Sequence, residues 1–266
     1  MADVAVALAV LAVIVLICEI VRKRAAQCGV HLSELVSTVQ LCACAHELKL
    51  LSEREPGIAL TLTYVISVVH ALTFRGAHAN PSGTLERWFA GSLSGAGALS
   101  RCACQLAAAA GAGALMRRAW ALGLSDLHAH HALSGFRCTS PIENVSVLVA
   151  AAVELACAFT VHAAATLTRG LDEKLRVHAV AGVITLVVYA GGSITGAVFN
   201  PALAFTSQFP CTGSTFVENC LVYWVGPVLG MVCSVLLFDK ILPAFTAKST
   251  TQEDQNIDTI KRKKWN

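Results

Sequence analysis

The chain has 266 residues, of which 55% are hydrophobic and only 14% are charged, and its mean hydropathy is +0.63. This much apolar surface excludes a soluble domain of the same size and favours a polytopic helical membrane protein. The formal net charge of +3 gives no reason to expect a nucleic-acid partner.

Seven apolar runs approach the roughly 20 residues that a helix needs to cross about 30 Å of hydrocarbon. In chain order they are residues 4–21, 31–51, 58–74, 98–116, 145–168, 175–191 and 219–239. Two further apolar stretches follow Asn80 and Asn200, and both are too short to span. We therefore predict seven long hydrophobic helices and two short segments that enter the membrane without crossing it.

The first apolar run, residues 4–21, determines how the N-terminal region is placed relative to the membrane. A cleaved signal peptide carries its positive charges before the apolar segment, whereas here Asp3 precedes the run and residues 22–24 (Arg-Lys-Arg) follow it. We predict a retained signal-anchor with its N-terminus outside, within an N-terminal region 1–30. An interfacial helix is the main alternative.

Basic residues predict the orientation of the other helices, because cytoplasmic loops collect Lys and Arg. If the seven runs cross the membrane in alternating directions, the basic clusters at 22–24, 169–176 and 261–264 all lie on the same side of it. We expect this side to be the cytosol, which places the C-terminus there. Arg117, Arg118 and Arg137 would lie on the other side, so the bias is real but incomplete.

The sequence repeats itself at an offset of 120 residues. Glu34 aligns with Glu154 and Asn80-Pro81 with Asn200-Pro201, so the interval from Glu to Asn is 46 residues in both halves. Each half holds three spanning runs, an odd number, so the second half must be inverted relative to the first. The predicted regions are a first hemichannel at 31–121, a connecting loop at 122–144, a second hemichannel at 145–242 and a disordered cytosolic tail at 243–266.

The two Asn-Pro segments carry a family resemblance. Residues 76–81 (Gly-Ala-His-Ala-Asn-Pro) and 195–202 (Thr-Gly-Ala-Val-Phe-Asn-Pro-Ala) resemble the paired Asn-Pro-Ala boxes of the aquaporins, and Glu34 and Glu154 resemble the glutamates on the first helix of each half. The resemblance implies an all-α membrane protein with the aquaporin fold. That fold has six transmembrane helices and two re-entrant half-helices in an inverted repeat, to which this chain adds an N-terminal hydrophobic helix.

Three departures from the family pattern narrow the resemblance. The first box reads Asn80-Pro81-Ser82, Leu203 follows the second box where most aquaporins have arginine, and Cys211 lies nine residues beyond Ala202. These features are similar to those of the unorthodox, intracellular aquaporin-11 and aquaporin-12 branch. Ser82 departs from that branch too, since cysteine is typical there.

The pore is expected where the half-helices meet head to head. Their N-termini each carry about half a positive charge and disfavour cations, while the amides of Asn80 and Asn200 can donate to a passing oxygen atom. The backbones of the two loops offer carbonyl acceptors. The pore residues expected here are Asn80, Pro81 and Ser82 in the first box, Asn200, Pro201 and Ala202 in the second, and Gly76, Ala77, His78 and Gly196 in the loop backbones.

The resemblance also locates a selectivity constriction. The positions that form it in ordinary aquaporins align with Leu60, Val188, Ala197 and Leu203, none of which carries a charge or a side-chain donor. Without an arginine the filter is apolar, which favours glycerol and hydrogen peroxide beside water. Known passage of these three solutes through the resembled branch agrees.

The remaining predictions concern function and its alternatives. Glu34 and Glu154 are costly in a membrane and are interpreted as buried structural acids that hold loop N–H groups rather than as a proton relay. We expect a passive channel for small neutral solutes in contact with membrane lipid, and no enzyme, cofactor or metal motif is present in the sequence. The alternatives are a closed-pore scaffold or adhesion protein and, less favoured, an ion-coupled transporter.

Several residues outside the pore carry secondary predictions. Cys138, Cys211 and Cys220 all project to the outer side, and the sequence does not choose a disulfide pair among them. The histidines of residues 128–131 are interpreted as a solvated surface rather than a metal site. The sequon Asn144-Val145-Ser146 abuts a predicted membrane helix, which leaves its use as a glycosylation site open.

The C-terminus and the family resemblance suggest a compartment and an assembly. Lys263 and Lys264, three and four residues from the end, have the form of a dilysine retrieval motif read by coat proteins, which predicts the endoplasmic reticulum membrane or another intracellular membrane. Contact of the basic tail with anionic lipid is the alternative. The family resemblance implies a homotetramer.

Overall fold

The computed structural model describes residues 2–24 and 29–243, which are almost entirely helical. Within that part of the chain the only β-type pairing is a bridge between Thr139 and Thr212. The helices are α1 (Ala2–Arg24), α2 (Val30–Ser52), α3 (Pro56–Thr73), α4 (Pro81–Phe89), α5 (Gly95–Trp120), α6 (Asp126–Leu133), α7 (Val147–Leu167), α8 (Glu173–Thr195), α9 (Pro201–Ser207) and α10 (Phe216–Ile241), the last with two π-helical segments at Leu221–Val225 and Leu236–Ile241.

Five of these helices, α1, α3, α7, α8 and α10, are long and apolar enough to cross a membrane by length and composition. Helices α2 and α5 have similar lengths, 23 and 26 residues. They are less apolar because they face the protein interior with polar side chains. Glu34, Gln40 and Glu47 of α2, for example, are all buried. The hydropathy of these two helices is therefore low although they pack inside the helix bundle.

The helices repeat in space as they do in sequence. Helices α2, α3, α4 and α5 correspond to α7, α8, α9 and α10 at the 120-residue offset. Helix α2 packs on α5, α7 packs on α10, and α3 packs on α8 where the two halves meet. The chain therefore forms the aquaporin fold, with α4 and α9 as the two half-helices.

Glycine allows the closest helix packing in the second half. A Cβ atom added to Gly230 of α10 would lie 2.3 Å from the backbone oxygen of Leu155 on α7, and one added to Gly226 would lie 2.9 Å from that of Ala151. Small residues that let two backbones approach are characteristic of helix contacts in membranes. This packing fixes α10 against the helix that carries Glu154.

The N-terminal helix is an integral part of the bundle. Ala7 and Leu11 of α1 are buried in clusters with residues of α2 and α3. Near its end, the buried Arg22 donates to Glu19 Oε2 at 2.8 Å and to Gln40 Oε1 of α2 at 2.9 Å. The bond to Gln40 connects the end of α1 to α2 of the first half.

The connecting segment before α7 is fastened to the segment after α9. Cys138 and Cys211 form a disulfide, while Cys220 is a free thiol. Two backbone hydrogen bonds run beside the bridge, from Ser140 N to Thr212 O at 2.7 Å and from Thr212 N to Cys138 O at 3.0 Å. The structure thus chooses one pair among the three cysteines that the sequence left open.

The connecting segment also corrects a prediction. His128 of α6 is only 1% exposed, and its Nε2 lies 2.9 Å from Glu47 Oε1, so the expectation of a solvated surface is wrong at this position. Trp120 Nε1 donates to the other oxygen of Glu47 at 2.9 Å. The buried carboxylate draws the histidine inward, whereas His130 is exposed as expected.

Candidate pore

The two re-entrant loops have positive φ angles at two pairs of equivalent positions. Gly76 and Gly196 have φ angles of 85° and 88°, and Ala79 and Phe199 have φ angles of 51° and 37°. Positive φ is easy for glycine but strained for residues with a Cβ atom, and such strain persists where the surroundings impose it. Ala79 and Phe199 directly precede the asparagines of the two boxes. Arg75 of the first loop (φ 51°) and Ala197 of the second (φ 44°) also have positive φ, without a counterpart in the other loop.

Each asparagine caps the half-helix that it precedes. Asn80 Oδ1 accepts from Ser82 N at 2.9 Å, and Asn200 Oδ1 accepts from Ala202 N at 3.0 Å and from Leu203 N at 3.3 Å. The proline that follows each asparagine occupies the first helical position, where no N–H partner is needed. The asparagine oxygens therefore face their own half-helices.

The asparagine nitrogens face the opposite loop. Asn200 Nδ2 donates to Ala79 O at 2.9 Å, and Asn80 Nδ2 donates to Phe199 O at 3.4 Å. The acceptors are the two carbonyl groups of the strained residues, so the positive φ angles serve to aim these groups across the repeat. Each NH2 group has two hydrogens, and the brace uses one, which leaves one donor per asparagine at the point where the half-helices meet.

The two buried glutamates lie behind the loops. Glu34 Oε2 accepts from Ala79 N at 3.0 Å, and both of its oxygens lie 3.1 Å from His78 N. Glu154 Oε1 accepts from Val198 N at 3.0 Å and Oε2 from Phe199 N at 2.6 Å. The two pairs of N–H donors are equivalent at the 120-residue offset, so each glutamate contacts the same positions of its own loop.

Other polar residues around the loops were not singled out from the sequence. Gln105 of α5 donates to Glu34 Oε2 and to Thr84 Oγ1, both at 2.9 Å. In the other half, Thr195 Oγ1 donates to Glu154 Oε1 at 2.6 Å, and Tyr223 Oη donates to Thr195 O at 2.7 Å. The signal available for Gln105 was a lone amide inside the apolar run 98–116.

The other predicted pore residues differ in how far they are exposed. His78 has a side chain that is 27% exposed, with its Nδ1 at 3.6 Å from Glu34 Oε1, and Ala77 N bonds to Phe74 O at 3.0 Å. Ser82 and Ala202, the third residues of the two boxes, are both completely buried. The side chain at the third box position is therefore packed inside the protein.

The four residues aligned with the constriction do not form a single contact cluster. Val188 and Ala197 pack together beside Phe199. Leu203 packs against two other clusters, one between α2 and α5 and one around Val222 and Tyr223, and Leu60 is partly buried on α3.

The half-helices meeting at their N-termini, the crossed asparagine braces and the duplicated glutamates define a polytopic membrane channel. The family "Major intrinsic protein" matches residues 5–238 of this chain. The chain is 41% identical to aquaporin-11 of Equus caballus and 40% identical to that of Homo sapiens over 213 residues, which cover 79% of this chain and 77% and 78% of the two relatives. It is 37% identical to aquaporin-12 of Mus musculus over 240 residues, covering 85% of this chain and 82% of the relative. The chain belongs to the major intrinsic protein family, the aquaporins, whose members are channels rather than enzymes.

Proposed function

We propose that this protein is a passive channel for water, glycerol and hydrogen peroxide across an intracellular membrane. The observation that carries the proposal is the pair of crossed braces, Asn200 to Ala79 O at 2.9 Å and Asn80 to Phe199 O at 3.4 Å. They leave one amide donor of each asparagine free to replace part of the hydration of a solute oxygen.

Ions and protons are excluded at the same point. The braces and caps hold the N-termini of α4 and α9 together, and each N-terminus is equivalent to about half a positive charge. A cation at this junction loses hydration and meets two positive dipole ends. A neutral solute with an oxygen acceptor has no such penalty.

Solute range is set by the four constriction positions. Leu60, Val188, Ala197 and Leu203 offer an apolar wall in which no charged group competes for hydration. Glycerol and hydrogen peroxide, which tolerate partly apolar surroundings, pass beside water. Glu34 and Glu154 act as structural acids that keep the loop carbonyl groups directed toward the pore.

Solute flux into proteoliposomes, measured by stopped-flow light scattering, tests the channel. We expect wild type to exceed empty liposomes for all three solutes and Leu203→Arg to reduce glycerol flux more than water flux. Asn200→Asp replaces the donor to Ala79 O by an acceptor and cancels positive charge at the junction, so solute flux should fall and proton leak should rise. Asn144→Asp makes the same chemical change at an exposed position and should match wild type.

A wild-type flux equal to that of empty liposomes for every solute would refute the channel and favour a closed-pore scaffold. A proton leak in Asn200→Asp no greater than in Asn144→Asp would refute the proposed barrier at the junction.

We also propose retrieval to the endoplasmic reticulum by the dilysine tail, with the C-terminus in the cytosol. Lys263 and Lys264 lie outside the described residues. Replacing both with serine should release the protein to later compartments, whereas Lys261→Ser with Arg262→Ser removes equal charge at the wrong spacing and should not. Unchanged reticular staining of the first variant would contradict the signal.

The assembly we propose is a homotetramer with one pore per subunit, which native mass spectrometry of the detergent-solubilised protein tests. A monomeric or dimeric mass at concentrations where flux is measured would contradict it.

A further inference from the structure

Lys49 reaches from the first half of the channel to the half-helix of the second. It lies in the last turn of α2, and its Nζ donates to Ser207 O at 2.8 Å and lies 3.5 Å from Gln208 Oε1. Ser207 is the last residue of α9. An ammonium group at the carbonyl end of a helix satisfies an orphan acceptor and opposes the negative end of the helix dipole.

The equivalent residue of the second half also reaches the opposite half-helix, but it contacts a side chain instead of a backbone carbonyl. Arg169, at the 120-residue offset from Lys49, follows α7, and its Nη2 lies 3.2 Å from Glu86 Oε1 near the end of α4. Its Nη1 lies 3.1 Å from Asp239 Oδ1 of α10. A basic residue of the second half thus holds the half-helix of the first.

A histidine accompanies each basic residue. His46 Nε2 lies 3.1 Å from Thr206 Oγ1 on α9, and His162 Nδ1 lies 2.6 Å from Glu86 Oε2 on α4. Thr206 and Glu86 are themselves equivalent at the repeat offset. The two halves therefore contact the same point of the opposite half-helix, although the two histidines approach from neighbouring turns of their helices.

We propose that Lys49 and Arg169 are positioning residues that form crossed clamps, each fixing the C-terminal end of the half-helix that belongs to the other half. The asparagine braces and the glutamates fix only the N-terminal ends of α4 and α9. A helix held at both ends has one orientation, so the clamps set where Leu203 on α9 and the cytosolic turn of α4 lie. The effect on solute selectivity rests on the proposed channel function, whereas the clamping itself does not.

The surroundings of the clamp on α9 are consistent with a contact that can open. A cavity of about 60 Å³ borders it and is lined by His46, Lys49, Thr206 and Ser207, and one water needs only about 10–15 Å³ on this measure. Water is thus available to the helix end when the lysine is removed. Loss of Lys49 should therefore loosen α9 without collapsing the fold.

Amide hydrogen exchange of the full-length protein in lipid nanodiscs tests the clamps. Losing the part-buried, charge-assisted hydrogen bond of Lys49 should speed local exchange about tenfold. Losing the half-exposed ion pair of Arg169 should speed it by up to about fivefold. Lys49→Met should speed exchange at the end of α9 and leave α4 unchanged, and Arg169→Met should do the reverse. Lys174→Met and Arg176→Met, at exposed positions of α8, should change neither half-helix, while Lys49→Arg and Arg169→Lys should restore wild-type exchange.

The crossed pattern decides the proposal. Faster exchange in the half-helix of the mutated residue's own half, or in neither half-helix, would overturn it. Should a methionine variant not reach the membrane, Lys49→Gln and Arg169→Gln replace the charged donor by a weaker neutral one, and the same crossed pattern is expected with a smaller acceleration.

Flux measurements on the same proteins separate this inference from the channel function. If wild type conducts no solute, the proposed function fails, and the exchange pattern still decides the clamps. If wild type conducts, the clamps predict that the glycerol-to-water flux ratio changes in Lys49→Met and returns in Lys49→Arg. An unchanged ratio would overturn the effect of the clamp on selectivity.

Discussion

Replacing each buried glutamate by glutamine should damage the two loops unequally. At Glu154 the two oxygens accept different backbone donors, Val198 N at 3.0 Å and Phe199 N at 2.6 Å. A glutamine has one oxygen, so either orientation turns an NH2 group toward one of these N–H groups. At Glu34, His78 N lies 3.1 Å from both oxygens and Ala79 N contacts only Oε2. A glutamine oxygen in the Oε2 position therefore keeps both backbone donors.

The difference has a definite magnitude. One lost hydrogen bond that leaves its donor buried costs about 1–3 kcal/mol, and this cost falls on Glu154→Gln but not on Glu34→Gln. If the lost hydrogen bond costs about 2 kcal/mol, the second loop of Glu154→Gln would open about 30-fold more often than in wild type. Exchange of the amides at 197–199 in Glu154→Gln should therefore accelerate far more than exchange at 77–79 in Glu34→Gln.

The assay is amide exchange combined with thermal unfolding of the same nanodisc samples. Glu173→Gln, at an exposed position of α8, controls for the loss of a negative charge. Equal acceleration in the two loops, or a larger effect at Glu34, would refute the reasoning from shared and unshared donors.

Two further substitutions test the packing around the site. Gly230→Ala places a Cβ atom 2.3 Å from Leu155 O and should destabilise the protein by about 1–3 kcal/mol, whereas Gly182→Ala meets nothing within 4 Å and should be neutral or stabilising in thermal unfolding. Cys211→Ser removes a bridge that spans 73 residues and should cost about 2–5 kcal/mol. Cys220→Ser leaves the bridge intact, and a melting temperature lowered as far as in Cys211→Ser would contradict the assigned pair.

The fold could be predicted from sequence because its strongest signals are local or periodic. The 120-residue repeat relates Glu34 to Glu154 and Asn80 to Asn200 without any knowledge of contacts, and an odd number of spans in each half requires inversion. The length of the first hydrophobic run predicted the N-terminal helix. Each of these arguments needs only spacing and composition.

The details that depend on tertiary contacts could not be predicted in the same way. The burial of His128 requires Glu47, which lies 81 residues earlier in the chain. The disulfide partner of Cys211 follows from the tertiary contact between Thr139 and Thr212, which places residues 138 and 211 side by side. Polar residues in an apolar run indicate burial, but they do not identify the partner.

Two departures from the usual aquaporin boxes, at Ser82 and Leu203, affect different parts of the site. Ser82 is completely buried, so its hydroxyl faces no solvent, and its Oγ has no hydrogen-bond partner among the described residues. Its backbone N–H still donates to Asn80 Oδ1 at 2.9 Å, which keeps the cap and hence the brace to Phe199 O. Leu203 differs, because its backbone N–H also serves the cap while its side chain replaces the arginine of most aquaporins. A degenerate first box is therefore compatible with an intact junction of the two half-helices. Under the proposed function, Leu203 is the departure that we expect to affect which neutral solutes pass.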